Sequence, residues 1–316
     1  MTAPVAVFAY ARPDHLRRTL ASLAANTLAS ETQLIIFCDG PRSEEDAPRV
    51  RDVREVAEAA TGFKSVEIRA RDENVGLAAN IIEGVTQVAN AHGRVIVVED
   101  DMVLAPGFLS FMNAALDRYA DEPKVWHVSG WNYPIDSEGL PETFFWRCIN
   151  CWGWATWADR WAHFQKDPDR LLADWNMPTI DRFTLDRAEP DFWLHVELNA
   201  SGRMNTWAIF WYASVFENGG LCLSPTQSLV RNIGFDGSGE HCGDEDDASQ
   251  AMALSDQSEW RWSDSMSEHA MAYERIRSVL QQKPRGSIRR RFRRRAALLW
   301  KYGSPLRRLL ATKAAS

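Results

Sequence analysis

The sequence predicts an α/β fold in which a mostly parallel sheet is flanked by helices, followed by a Trp-rich stretch and a basic C-terminal tail. Three observations predict it. Short apolar runs, Pro4 to Tyr10 (PVAVFAY), Gln33 to Cys38 (QLIIFC) and Arg94 to Val98 (RVIVV), have the length and continuity of strands buried on both faces. Between such runs apolar residues recur at helical spacing, and the two patterns alternate through the first 130 residues. Tyr10, Asp39 and Glu99 lie at strand ends, where open parallel sheets gather their ligands.

The elements follow in order. After the first strand, Asp14 is placed to cap a helix whose Leu16, Leu20 and Leu23 share a face. The QLIIFC strand stops at Asp39-Gly40-Pro41, and Val50, Val53, Val56 and Ala60 mark a second helix that runs to Gly62. Ser65 to Arg69 is the third strand. Past Asn74-Val75-Gly76, a stripe of Leu77, Ile81, Val85 and Val88 leads to the RVIVV strand. Phe108 to Tyr119 reads as a helix and Val125 to Ser129 as a return to the sheet. Residues 131–205, broken by Pro134, Pro141, Pro168, Pro178 and Pro190, read as loops and short helices. A helix from Trp207 to Phe216 and a strand from Gly220 to Ser224 come last, before a Gly- and carboxylate-rich loop from Asp236 to Asp256.

Net charge is −7, and its distribution is uneven: residues 283–316 hold 12 Lys/Arg and no Asp/Glu, which leaves 24 cationic against 43 anionic side chains in residues 1–282. Within 285–313 the Arg residues interleave with Phe292, Leu298, Trp300, Leu306 and Leu309, the composition of an amphipathic segment at an anionic membrane surface. Nucleic acid is the weaker reading of this basic tract, because no nucleic-acid fold motif accompanies it. The five cysteines form no disulfide framework, and Cys148 and Cys151 lack the second pair that structural zinc requires, so buried reduced thiols are expected. Without a secretory signal or a spanning run, the expected location is cytoplasmic, at the inner face of the membrane.

The chemistry concentrates at Glu99-Asp100-Asp101, three adjacent carboxylates directly after a buried strand. Adjacent anions repel, and a divalent cation with its phosphate ligands would neutralise them; oxygen ligands favour Mn²⁺ or Mg²⁺ over zinc. At Asn74-Val75-Gly76-Leu77 two readings stand, a plain helix cap or backbone N–H groups that, with Arg71, approach a phosphorylated ligand. Fourteen Trp residues, concentrated between Trp126 and Trp262, either fill a core or line a carbohydrate wall.

Six segments carry a resemblance: PVAVFAYARPDHLRRTLASL at Pro4, CDGPR at Cys38, NVGLAANI at Asn74, VVEDDMVLAPGFL at Val97, WGWATW at Trp152 and LVRNIGFDGSGEH at Leu229. Across residues 4–242 the chain resembles the GT-A (Rossmann-like) glycosyltransferases, similar to the N-acetylglucosaminyltransferase I group and related bacterial sugar transferases. The resemblance implies a nucleotide-sugar donor bordered by Ala9, Tyr10 and Arg12, with Asp39 at its base or ribose. It further implies Asp101 as metal ligand, Glu99 and Asp100 at the ribose and sugar phosphate, and His241 as a second metal or phosphate ligand. Residues 1–282 would then be the catalytic domain, with a nucleotide-sugar half (1–130) and an acceptor half (131–282), and 283–316 the tail.

Inverting transfer needs a carboxylate to take the acceptor's proton. Where such enzymes often place an aspartate, this chain has Asn205-Thr206-Trp207-Ala208, so Asp191 and Glu197 become the candidate bases. Trp152, Trp154, Trp207 and Trp211 are the candidates for stacking on acceptor sugars. The expected activity is inverting, metal-dependent glycosyl transfer to a glycan or lipid-linked acceptor in surface polysaccharide assembly. Nucleotidyl transfer, or a non-catalytic sugar- or membrane-binding module on the same scaffold, are the alternatives.

Overall fold

The computed structural model describes residues 2–236 and 253–282. His241, Cys242 and the tail from residue 283 lie outside the described residues. The first half alternates as the sequence predicts: β1 (Val5–Ala9), α1 (Pro13–Ala24), β2 (Gln33–Cys38), α2 (Ala47–Glu58), β3 (Ser65–Ala70), α3 (Leu77–His92) and β4 (Arg94–Glu99). A short strand β5 (Met102–Leu104), α4 (Phe108–Arg118) and β6 (Val125–Ser129) follow. Pro13, whose fixed φ suits the first helical turn, starts α1, so Asp14 lies inside that turn, paired with Arg17, and is not the cap. At the other end of α3, Gly93 takes the left-handed conformation (φ 78°) that closes a helix.

The second half holds more strands than its sequence announces. β7 (Thr143–Trp146) and β8 (Trp154–Trp157) precede the helices α5 (Ala158–Trp161), α6 (Pro168–Asp174), α7 (Met177–Phe183), α8 (Asp191–Ala200) and α9 (Ala208–Glu217). β9 (Leu221–Pro225), β10 (Val230–Asn232) and α10 (Ala270–Gln282) complete the described chain. The main sheet has the order β3-β2-β1-β4-β8-β6-β9-β7, so both halves build one sheet. β1 to β4 are mutually parallel, β8 runs against β4 and β6, and β7 runs against β9.

β8 overturns the reading of 131–205 as loops and short helices. Its side chains alternate between the two cores, Trp154 on one face and Ala155 and Trp157 on the other, because strand side chains have period two. One core lies under α1, α2 and α4, around Leu16, Val53 and Phe111; the other under α3, α8, α9 and α10, around Ile81, Val196, Phe210 and Ile276. Away from the main sheet, β10 pairs with β5 and brings Asn232 opposite Met102, immediately after the acidic triplet.

Candidate functional site

The C-terminal ends of β1, β2 and β4 open into a cavity of about 980 Å³. Ala9, Tyr10, Arg12, Asp39, Glu99, Asp100 and Asp101 all line it, so the predicted donor residues from three separate strands do converge. A second, more open cavity of about 700 Å³ lies between α1 and α2, away from the strand ends.

Within the main cavity, Arg12 is the hub. Its Nη2 donates to Asp100 Oδ1 and, at 3.0 Å, to Asp101 Oδ2, while the Tyr10 N–H donates to Asp100 Oδ2 at 3.0 Å. Ala11 bridges Tyr10 and Arg12 at φ 49°, a left-handed conformation that a non-glycine residue adopts at a cost of about 1–3 kcal/mol. Two atoms of this cluster stay buried without partners, Arg12 Nη1 and Asp101 Oδ1. Burial and then the like charges of Asp101 and Asp100 hold the Glu99 carboxyl well above its ordinary range. Burial also raises Asp100, against the pull of Arg12. Burial alone would lower Arg12, yet the charges of Asp100 and Asp101 outweigh it and raise its pKa. One guanidinium against three carboxylates leaves the cluster short of positive charge.

Asp39 behaves differently from expectation. Its Oδ1 accepts from the N–H groups of Gly40 (2.9 Å) and Val75 (3.0 Å), and its Oδ2 from the Gly76 N–H (2.9 Å) and Asn74 Nδ2 (3.1 Å). Those donors fill about four lone-pair sites, all that a carboxylate offers, so Asp39 clamps the start of α3 to the end of β2. Asn74 joins the clamp by donating also to the Gly40 carbonyl at 2.9 Å, and Gly76, at φ 81°, is the residue before α3. Asn74 therefore braces a turn and does not cap the helix. Arg71 is corrected as a donor contact: its Nε donates to Asn80 at 2.9 Å and its Nη2 to Glu83 at 2.6 Å, and it is absent from the cavity wall.

Two expectations on the other side are also corrected. Trp154 and Trp211 are fully buried and make an aromatic core, with Trp211 6.4 Å from Trp154 between ring centroids, so neither reaches a sugar. Trp207 and Trp152 do line the cavity; Trp207 is backed by Trp154 at 5.4 Å, and Trp152 stands edge-on to Trp131 at 4.7 Å. Neither Asp191 nor Glu197 is on the wall, because α8 turns its Phe192 and His195, three residues apart, toward the cavity. His195 was missed by a search confined to carboxylates; its spacing from Phe192 on one helix face was the available signal. Cys38, Cys148 and Cys222 are buried free thiols and Cys151 a half-buried one.

Behind the wall, Trp211 Nε1 donates to His127 Nδ1 at 3.0 Å, which leaves the His127 Nε2–H to donate to the Asn150 carbonyl at 2.9 Å. Burial pushes His127 down to about 3, so it stays neutral and holds Asn150, a wall residue, in place.

Residues 3–129 match the family model described as glycosyltransferase like family 2. That stretch contains β1 to β6 and the whole acidic cluster. Over that stretch the chain is similar to the family, and its mostly parallel sheet flanked by helices is the GT-A (Rossmann-like) α/β arrangement that the sequence predicts. Among solved structures the chain is similar to mannosyltransferase PcManGT from Pyrobaculum calidifontis, in complex with GDP-Man and Mn²⁺, at 13% identity and a TM-score of 0.41 over 69% of each chain. It is also similar to S. aureus TarS 1–349, at 12% identity and a TM-score of 0.44, covering 73% of this chain and 60% of that one. The particular likeness to the N-acetylglucosaminyltransferase I group finds no support in these matches.

Proposed function

We propose that this chain is a glycosyltransferase that works with inversion, moving a sugar from a nucleoside diphosphate to a glycan or lipid-linked acceptor in surface polysaccharide or glycan assembly. The observation that carries the reading is the acidic cluster at the end of β4, where Asp101 Oδ1 is buried without a partner among uncompensated carboxylates. Among the described residues no group of three His, Cys, Asp or Glu side chains is arranged around one ion. A site with one protein carboxylate suits Mg²⁺ or Mn²⁺, which commonly take their other ligands from water and substrate phosphates. Asp101 would hold the ion, with His241 as a second ligand; when bound, the ion supplies positive charge to the departing diphosphate.

The chain's own residues account for the rest. Arg12 directs an unpaired N–H toward the same region and shares the stabilisation of the leaving oxygens. His195 is the ionisable side chain that α8 brings to the wall, and we assign to it the proton of the acceptor hydroxyl. As that proton leaves, the hydroxyl oxygen forms its bond to the anomeric carbon. The bond from that carbon to the phosphate oxygen breaks, and its electron pair leaves with the nucleoside diphosphate. Residues 285–313 would hold the enzyme at the membrane surface, where a lipid-linked acceptor lies.

The test is product analysis after incubation with a panel of nucleotide-sugars, Mn²⁺ and acceptor extract. Release of nucleoside diphosphate is expected. Pyrophosphate would establish nucleotidyl transfer instead, and intact donor throughout would leave only a binding module.

A further inference from the structure

The cavity wall is divided by charge. Every Arg, Asp and Glu on it comes from residues 12–101, at the ends of β1, β2 and β4, the turns after them and the first turn of α2. Beyond residue 101 the wall holds no Lys, Arg, Asp or Glu among the described residues. That side is aromatic, with Trp131, Tyr133, Trp152, Phe192, Trp207 and Phe235, and its hydrogen-bonding side chains include the uncharged amides of Asn150, Asn205 and Asn232, the hydroxyls of Thr206, Tyr133 and Tyr212, and His195. Lys166 approaches from behind, but it donates to Asn205 Oδ1 and is not on the wall.

We infer that the acceptor end bound here is an uncharged sugar, not a uronate, a sialic acid or a phosphorylated polyol. The inference rests on the transferase reading and names the acceptor class for that same site. An anionic group on this wall would lose its water with no Lys or Arg among the described residues on that side to receive it, and a buried, unpaired charge costs several kcal/mol. A neutral pyranose loses little: its apolar C–H face packs on an aromatic ring, and its hydroxyls exchange water for amide and hydroxyl partners. Trp152 is the platform best placed for this, because it is half-buried and fixed edge-on by Trp131 at 4.7 Å and Phe235 at 5.6 Å.

The test uses the full chain with Mn²⁺ and UDP or GDP, titrated with matched glycosides by saturation-transfer NMR. The pairs are a methyl hexoside against the methyl hexuronide that differs only in carrying a carboxylate at C6, and a methyl hexoside against its 6-phosphate. The neutral member of each pair is expected to bind at least about tenfold more tightly, a difference of 1.4 kcal/mol. Thr206→Lys should reduce that ratio by admitting the anion. Equal or tighter binding of the charged members, or no binding of any neutral glycoside, overturns the inference. The transferase reading is tested separately in the same samples: neutral glycosides that bind while no nucleotide does would remove the enzyme and keep the sugar wall. Nucleotide binding with a preference for uronates would do the reverse.

Discussion

At the level of single residues, the acidic cluster trades stability for function. Glu99 is a carboxyl whose folded pKa is raised by burial and by Asp101 and Asp100, so its contribution to stability is present below the unfolded value and is lost as pH rises through the folded one. At pH 7–8 Glu99→Gln should therefore raise Tm, measured without metal, while turnover falls by about a hundredfold. Asp101→Asn should abolish the Mn²⁺ dependence of nucleotide binding in calorimetry, and binding that keeps its metal dependence would dismiss Asp101 as a ligand. Of the groups on α8, His195→Gln should lower kcat by about 10²–10⁴-fold with little change in donor KM. Asp191→Asn and Glu197→Gln, both off the wall, should stay within about threefold of the parent. The sequence made the acidic triplet legible because adjacent carboxylates after an apolar strand demand a counter-charge. It could not show that Asp39 is saturated, since its partners at 74–76 lie 35 residues or more away.

Elements explain why the second half was harder to read than the first. β1, β2 and β4 are continuous apolar runs, and buried parallel strands announce themselves in that way. β7 and β8 have four residues each and consist mostly of large aromatics, a composition shared by a sugar-binding wall and a core. Period two would have separated the readings, but four residues give too few repeats to count. The junction of β2 with the turn before α3 depends on contact as close as backbone to backbone. A Cβ on Gly40 would lie 2.3 Å from the Glu73 carbonyl carbon, so Gly40→Ala must push that turn away and disturb the Asp39 clamp. The expected loss is about 1–3 kcal/mol in urea unfolding, with weaker nucleotide binding. Between β6 and α9, His127 is depressed from 6.5 to about 3 by burial. The unfolded chain thus binds a proton that the folded one refuses, and stability present above pH 6.5 is lost as pH falls toward 3. His127→Gln should be less stable at pH 7 but should lose less of its stability between pH 7 and 4; parallel acid limbs for parent and variant would show that His127 does not titrate in that window.

For the molecule as a whole, charge decides more than shape. No helix among the described residues is long and apolar enough to cross a membrane. Residues 1–282, with 43 acidic against 24 basic side chains, are repelled by anionic lipid, whereas the segment from 283 carries 12 cationic side chains and no acidic one. Attraction of about 1 kcal/mol per basic residue close to the surface exceeds the repulsion of a body held farther away, because both decay over a Debye length of about 8 Å at physiological salt. The full chain should therefore sediment with vesicles containing phosphatidylglycerol and not with neutral ones, and raising salt should weaken the binding without removing all of it, since Phe292, Trp300 and the leucines add an apolar share that salt does not screen. Deleting residues 285–316 should abolish sedimentation and leave turnover on a soluble acceptor within about twofold, because every described wall residue precedes 236. A truncated chain that still sediments would place the lipid contact on the body, and one that loses soluble turnover would place the tail in the catalytic unit.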